Sequence, residues 1–237
     1  MEGKVSEEAQ PDLIPWTVGD IARGVAVVIA LSLAIIVAVT IGAALFLGFE
    51  GLQEHLVILV LLSSLVLEGV MLLGAWLFSG LKYRCGWNAL GFRSFNMKRA
   101  LILVPVVLLA GLLINYLYQV LISLVGMEPP PAVPPEFIQS GLSLALLSLL
   151  AIFVAPIAEE TFFRGFIFTG IGKRFGYGWG AIASALLFAF AHIQPGALLP
   201  IFLLGLLLAW LYIRTHSIWP CILTHFAYNS LALLFVI

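Results

Sequence analysis

Charged side chains are scarce in this chain. Its 237 residues include 11 Lys and Arg and 12 Asp and Glu, 10% of the total, while 62% are hydrophobic. A soluble fold needs a polar exterior, and so few charges cannot cover one. The chain is therefore expected in a lipid bilayer, as a multi-pass integral membrane protein. Its net charge of −1 leaves no basic footprint, so no nucleic-acid partner is expected. Cysteine is almost missing too. Cys85 in a basic loop and Cys221 in an apolar segment make no disulfide framework and are expected as free thiols. There is no cleavable signal peptide on this reading: the first apolar run is too long and follows a mostly acidic tail. No HExxH occurs, which excludes an ordinary zincin. No internal repeat is evident, which weakens a transporter built from repeated halves.

What the chain has instead is length of apolar run. Runs near the ~20 residues needed to cross the hydrocarbon core cover residues 21–49, 55–81, 100–126, 141–171, 178–192, 197–214 and 218–237. They are continuous and do not alternate with period two, so helices are expected and not a barrel. The fold class predicted is all-α, a polytopic bundle of about seven or eight transmembrane helices with a polar cavity open to the cytoplasm. Lys82, Arg84, Arg93, Lys98 and Arg99 mark one connection as cytoplasmic, and Lys173, Arg174 and Arg214 mark two more. Connections 50–55 and 128–140 hold no Lys or Arg and are expected outside. The order predicted is a cytoplasmic tail (1–20), N-terminal spans (21–126), a proline-rich extracytoplasmic loop (127–140) and a functional transmembrane region (141–237). Trp16, Trp87, Trp179 and Trp219 sit near run ends and read as interface anchors. In a bacterium the location would be the cell membrane.

The densest polar signal is Glu159-Glu160-Thr161-Phe162-Phe163-Arg164 inside one of those runs. An ionisable group at membrane depth costs about 2.5–3.5 kcal/mol on insertion scales, so three within six residues mark a site. Glu160 and Arg164 are i,i+4, acid first, the favourable order for an ion pair. Phe188 and His192, then His225 and Asn229, repeat the spacing on two later runs. Helical rise places Glu159 about 21 Å from Lys173 and His192 equally far from Gly178, with His225 shallower at about 10 Å. The chemistry open to this set has two forms. Glu159, His192 and His225 form a candidate His₂Glu set for zinc or another divalent metal. Alternatively, Glu159 acts without metal as general base on water, with His225 and Asn229 as donors to the oxyanion. Glu68, alone in the second run, has no assigned role.

The three motifs EExxxR, FxxxH and HxxxN stand in order as Glu159-to-Arg164, Phe188-to-His192 and His225-to-Asn229, across roughly residues 141–234. In this the sequence resembles the CPBP family of intramembrane proteases, the CAAX-protease and bacteriocin-processing group. The Trp87-Asn-Ala-Leu-Gly-Phe-Arg93 loop is also of a sort often seen before that domain. The resemblance implies hydrolysis of a peptide bond in a membrane-associated peptide or protein. It further implies that Glu159 activates water beside His192, that His225 and Asn229 complete the site, and that Glu160, Arg164 and Phe188 orient or shape it. Competing readings are an ion- or proton-coupled transporter using Glu68, Glu159 and Glu160, and a non-catalytic immunity or scaffold protein of the same fold.

Overall fold

The computed structural model describes residues 14–128, 131, 133 and 135–234. Most of the expected tail, two prolines at 129 and 130, Ala132, Pro134 and the last three residues lie outside the described residues. Within them the fold is helical and contains no strand. Four runs are long and apolar enough to cross a membrane: Val18–Leu81, Met97–Leu124, Gly141–Phe175 and Pro195–Thr215. The chain is an integral membrane protein. Its outward surface is largely apolar, with Leu45, Phe46, Leu101 and Leu124 among the exposed side chains, as a lipid-facing surface requires.

Helix α1 (Val18–Trp76) begins at a capping box in which the Thr17 hydroxyl accepts from Asp20 N–H at 3.2 Å and the Asp20 carboxylate accepts from Thr17 N–H at 3.0 Å. It is assigned as one element but turns back on itself at Gly48, whose φ of 71° lies in the region glycine enters without a Cβ clash. The two arms pack antiparallel: a Cβ on Gly74 would lie 2.8 Å from Val28, and Asp20 is paired with Lys82 and Tyr83. The connection expected over 50–55 is therefore a turn at one residue, with helix resuming directly after it.

Helix α2 (Met97–Leu124) is capped by the Asn96 side chain, which accepts from Arg99 N–H at 3.0 Å. The run from 141 to 175 is a single rod of alternating register. It comprises α3 (Gly141–Ser148), a π segment (Leu149–Val154), α4 (Ala155–Glu159), a second π segment (Glu160–Phe168) and α5 (Thr169–Phe175). Helices α6 (Tyr177–Ala191), α7 (Leu198–Thr215) and α8 (Trp219–Leu234) follow. The second π segment is buried at every residue. Phe162, Phe163, Phe166 and Phe188 pack around it on the α1 side, and Leu204, Leu208, Leu211 and Tyr212 pack with Phe168 on the α7 side. Trp16 does not anchor an interface. It is buried, and its indole N–H donates to the Phe166 carbonyl at 2.9 Å, supplying a donor inside a segment whose hydrogen bonds have slipped from i+4 to i+5.

The basic residues gather at one end. Lys173 Nζ donates to the Ile14 carbonyl at 2.7 Å, Arg99 to the Arg214 carbonyl at 2.9 Å, and Arg93 to the Tyr212 hydroxyl at 3.2 Å. From this end the loop around the 3₁₀ turn Trp87–Leu90 dips into the bundle. A Cβ on Gly165 would lie 2.5 Å from the Leu90 carbonyl oxygen, and Ile218 N–H donates to the Gly91 carbonyl at 2.8 Å. Helix α8 thus starts level with Gly165, not with Lys173. This removes the apparent shallowness of His225: seven residues on from Ile218, about 10 Å, bring it level with Glu159 and Glu160.

The same close approach predicts that Gly165→Ala destabilises the fold by about 1–3 kcal/mol, the usual range for overpacking. Thermal unfolding in detergent measures it, and an unchanged midpoint would show that the loop does not bear on the rod as described.

Candidate active site

At that level the rod and α8 bring Glu159, Glu160, Arg164 and His225 together, and α6 joins them through the Phe188 ring. Glu160 and Arg164, both with fully buried side chains, pair at 2.9 Å, as their spacing predicts. Arg164 also donates to the Gly205 carbonyl at 3.3 Å, and its guanidinium lies 4.2 Å from the centre of the Phe188 ring. The same Glu160 oxygen that binds Arg164 stands 3.0 Å from His225 Nδ1. A carboxylate accepts there, so Nδ1 carries the hydrogen and Nε2 turns the other way. Nε2 faces Glu159 Oε2 at 3.7 Å, too far for a direct hydrogen bond. Glu159 is the acid with an outlet, its side chain 14% exposed, whereas that of Glu160 is fully buried.

His192 closes α6. Its Nδ1 lies 2.8 Å from the Phe188 carbonyl, and a carbonyl only accepts, so Nδ1 is the donor and Nε2 keeps a free lone pair. Phe188 touches both histidines, its ring centre 4.7 Å from His192 and 5.8 Å from His225. Its edge-on contacts with them, together with the cation over its face, fix the imidazole planes.

Asn229 has work within the fold. Its amide donates to the Ala151 carbonyl at 2.8 Å. That carbonyl lies in the first π segment, where Ala155 N–H reaches back to Leu150. Its own i+5 partner would be Pro156, which has no N–H to give. The Asn229 side chain replaces the missing donor and ties α8 to the rod, leaving its second N–H and its oxygen uncommitted.

Glu159, His192 and His225, the candidate metal set, are not gathered into one group in this structure. Among the described residues no three His, Cys, Asp or Glu side chains stand in a group able to hold a metal ion. Each imidazole is held through Nδ1, His225 by Glu160 and His192 by a backbone carbonyl, which leaves both Nε2 atoms uncommitted. Cys85 and Cys221 are both free.

One residue of the site was visible in the sequence but could not be placed there. Glu68, on the second arm of α1, is 8% exposed and lies on the helix that packs against α4. The α4 helix it meets ends at Glu159. Neither Glu68 Oε2 nor Glu159 Oε2 has a hydrogen-bond partner among the described residues. The only sequence signal was an acid in mid-span, which marks function by default but names no partner.

Asn229→Ala should cost about 1–3 kcal/mol by orphaning the Ala151 carbonyl. The loss should be smaller in a Pro156→Ala background, where residue 156 supplies its own N–H. Equal losses in both backgrounds, read by thermal unfolding of the four proteins in a double-mutant cycle, would rule out this account of Asn229.

Comparison with known proteins bears on the same stretch. Residues 141–231 match the family described as type II CAAX prenyl endopeptidase Rce1-like, so the resemblance carried by the three motifs is met over the region that contains them. The chain is 35% identical over 113 residues to an uncharacterized 24.3 kDa protein of Escherichia coli, covering 44% of this chain and 51% of that one. It is 30% identical over 88 residues to the Bacillus subtilis (strain 168) protein named "Putative membrane peptidase YdiL", covering 37% and 36%. The chain thus spans about half or less of the length of these curated relatives. No solved structure matches it. At the level of family, the matches support a membrane protease.

Proposed function

We propose that the chain is an intramembrane endopeptidase that hydrolyses a peptide bond of a membrane-associated peptide or protein, with a CAAX-type end or a leader or signal segment as the substrate class. The observation that carries this reading is Glu159, whose side chain is 14% exposed, with its unpartnered Oε2 set against His225 Nε2 at 3.7 Å beside a fully buried Glu160–Arg164 pair. Glu159 and His225 are not consumed by a bond to each other, so both are free to turn to a substrate.

In this mechanism Glu159 takes a proton from water as the water oxygen attacks the scissile carbonyl. The free lone pair of His192 Nε2 helps hold that water. His225 donates from Nε2, when protonated, to the developing oxyanion, and the uncommitted Asn229 N–H adds a second donor. Glu160 and Arg164 act through His225 and Phe188, holding their rings in place. No step is routed through a metal.

The gathering of Lys and Arg at one end supports a cytoplasmic face there, with the chain start on the same side. The substrate would then be reached from the cytoplasm.

Reconstituted in proteoliposomes with membrane-anchored peptides, Glu159→Gln and His192→Ala should each lose cleavage by about 10²-fold or more, the usual worth of a positioned acid or base, while retaining the wild-type unfolding midpoint. Full cleavage by Glu159→Gln would end the hydrolase reading. Arg164→Met should instead lower stability, by about 3–5 kcal/mol, because it strands the Glu160 charge in the core; an unchanged unfolding midpoint would show that the buried pair does not hold the site together.

A further inference from the structure

Peptide-bond hydrolysis needs a proton on the departing nitrogen, and in the mechanism above Glu159 alone, once it has taken water's proton, is left to supply it. His225 is committed to the oxyanion, and Glu160 and Arg164 are bound to each other. Glu68 is the buried acid the mechanism leaves idle. It is more than nine-tenths buried, its Oε2 has no hydrogen-bond partner among the described residues, and neither has Glu159 Oε2. It shares a helical face with Ala75, two turns on, which is packed in the core with Phe162 and Phe163. This places it on the face of α1 that meets the rod, where α4 carries Glu159. The charged groups beside that acid are His225 on α8 and the Glu160–Arg164 pair. The remaining charges of α1, at Asp20, Arg23, Glu50 and Glu54, are fourteen or more residues away along the helix. Among the described residues no cation is paired with Glu68, and two neighbouring carboxylates in a low-dielectric site do not both ionise.

We infer that Glu68 and Glu159 work as a carboxyl–carboxylate dyad, in which Glu68 holds the proton that is delivered to the leaving amine. The inference rests on the protease reading of the same site. In the resting state Glu68 is the neutral acid and Glu159 the carboxylate. A water O–H bond breaks and its proton goes to Glu159, while the water oxygen bonds to the carbonyl carbon and the C=O π pair moves onto oxygen. On collapse that pair returns, the C–N bond breaks, and the nitrogen takes the proton of Glu68. Glu159 then passes its proton to Glu68 and the dyad is restored. The products are one acid and one amine, with no further reactant. On this account the mid-span acid gives the site a second exchangeable proton.

The test compares wild type, Glu68→Gln, Glu68→Asp and Glu159→Gln in proteoliposomes on a membrane-anchored peptide, with kcat, KM and pH profiles. Glu68→Gln preserves shape and neutrality but cannot release a proton. It should lower kcat about 100-fold or more, leave KM little changed and remove one limb of the pH–rate profile. Glu68→Asp should recover part of the rate. A merely structural Glu68 would tolerate Gln, so full activity in Glu68→Gln, with Glu159→Gln inactive, overturns the dyad and leaves the protease reading standing. Infrared difference spectroscopy supplies an arm independent of cleavage. At neutral pH the wild type should show a protonated-carboxyl C=O stretch that is lost in Glu68→Gln and shifted in Glu159→Gln. Absence of that band overturns the dyad whether or not any peptide is cut. If the band is present while no variant changes cleavage, the protease reading fails instead.

Discussion

The Glu160 carboxylate is the fixed point of the C-terminal half. One of its oxygens receives both Arg164, from its own rod, and His225, from α8. A charge without water is costly unless it is paired and hydrogen-bonded, so this oxygen constrains the surrounding helices. The guanidinium must reach the Gly205 carbonyl and lie on Phe188, and the His225 imidazole must present its other nitrogen to Glu159. The adjacent acids therefore divide the labour: Glu160 is sealed to build the site, and Glu159, one residue earlier, keeps an outlet. The rod turns from α to π register between them, the kind of local change that recurs at functional sites.

A second constraint comes from backbone carbonyls where the helical register slips. In hydrocarbon each polar backbone group needs a partner within the protein. The Ala151 carbonyl, facing a proline nitrogen, is met by Asn229, and the Phe166 carbonyl, which accepts from Thr169 N–H, takes the Trp16 indole as a further donor. Each of these side chains comes from a distant part of the sequence. The rod's irregularities thus become attachment points for α8 and for the chain's first described residues.

The part of the site that lay within single helices could be read from the sequence. The acid-first i,i+4 spacing of Glu160 and Arg164 and the matching spacings of Phe188–His192 and His225–Asn229 follow from helical geometry alone, and apolar run length marked the helices. What escaped reading depended on packing between elements. A π register is a one-residue slip set by surroundings and has no clear composition. The depth of His225 depends on the Leu90–Gly91 loop reaching Gly165, so counting from the basic residues placed it too shallow. Trp16 near a run end looks like an anchor until its indole finds Phe166. Glu68 needed the fold of a hairpin before its neighbour could be named, and Asn229 needed both Pro156 and the slipped register.

The shortness of α6 also has a consequence for the bilayer. It has 15 residues, or about 22 Å at 1.5 Å per residue, shorter than the ~30 Å of a typical hydrocarbon core. Lipid beside it must thin to match. A thinner leaflet against α6 lowers the barrier for polar groups to descend beside His192, where the helix ends.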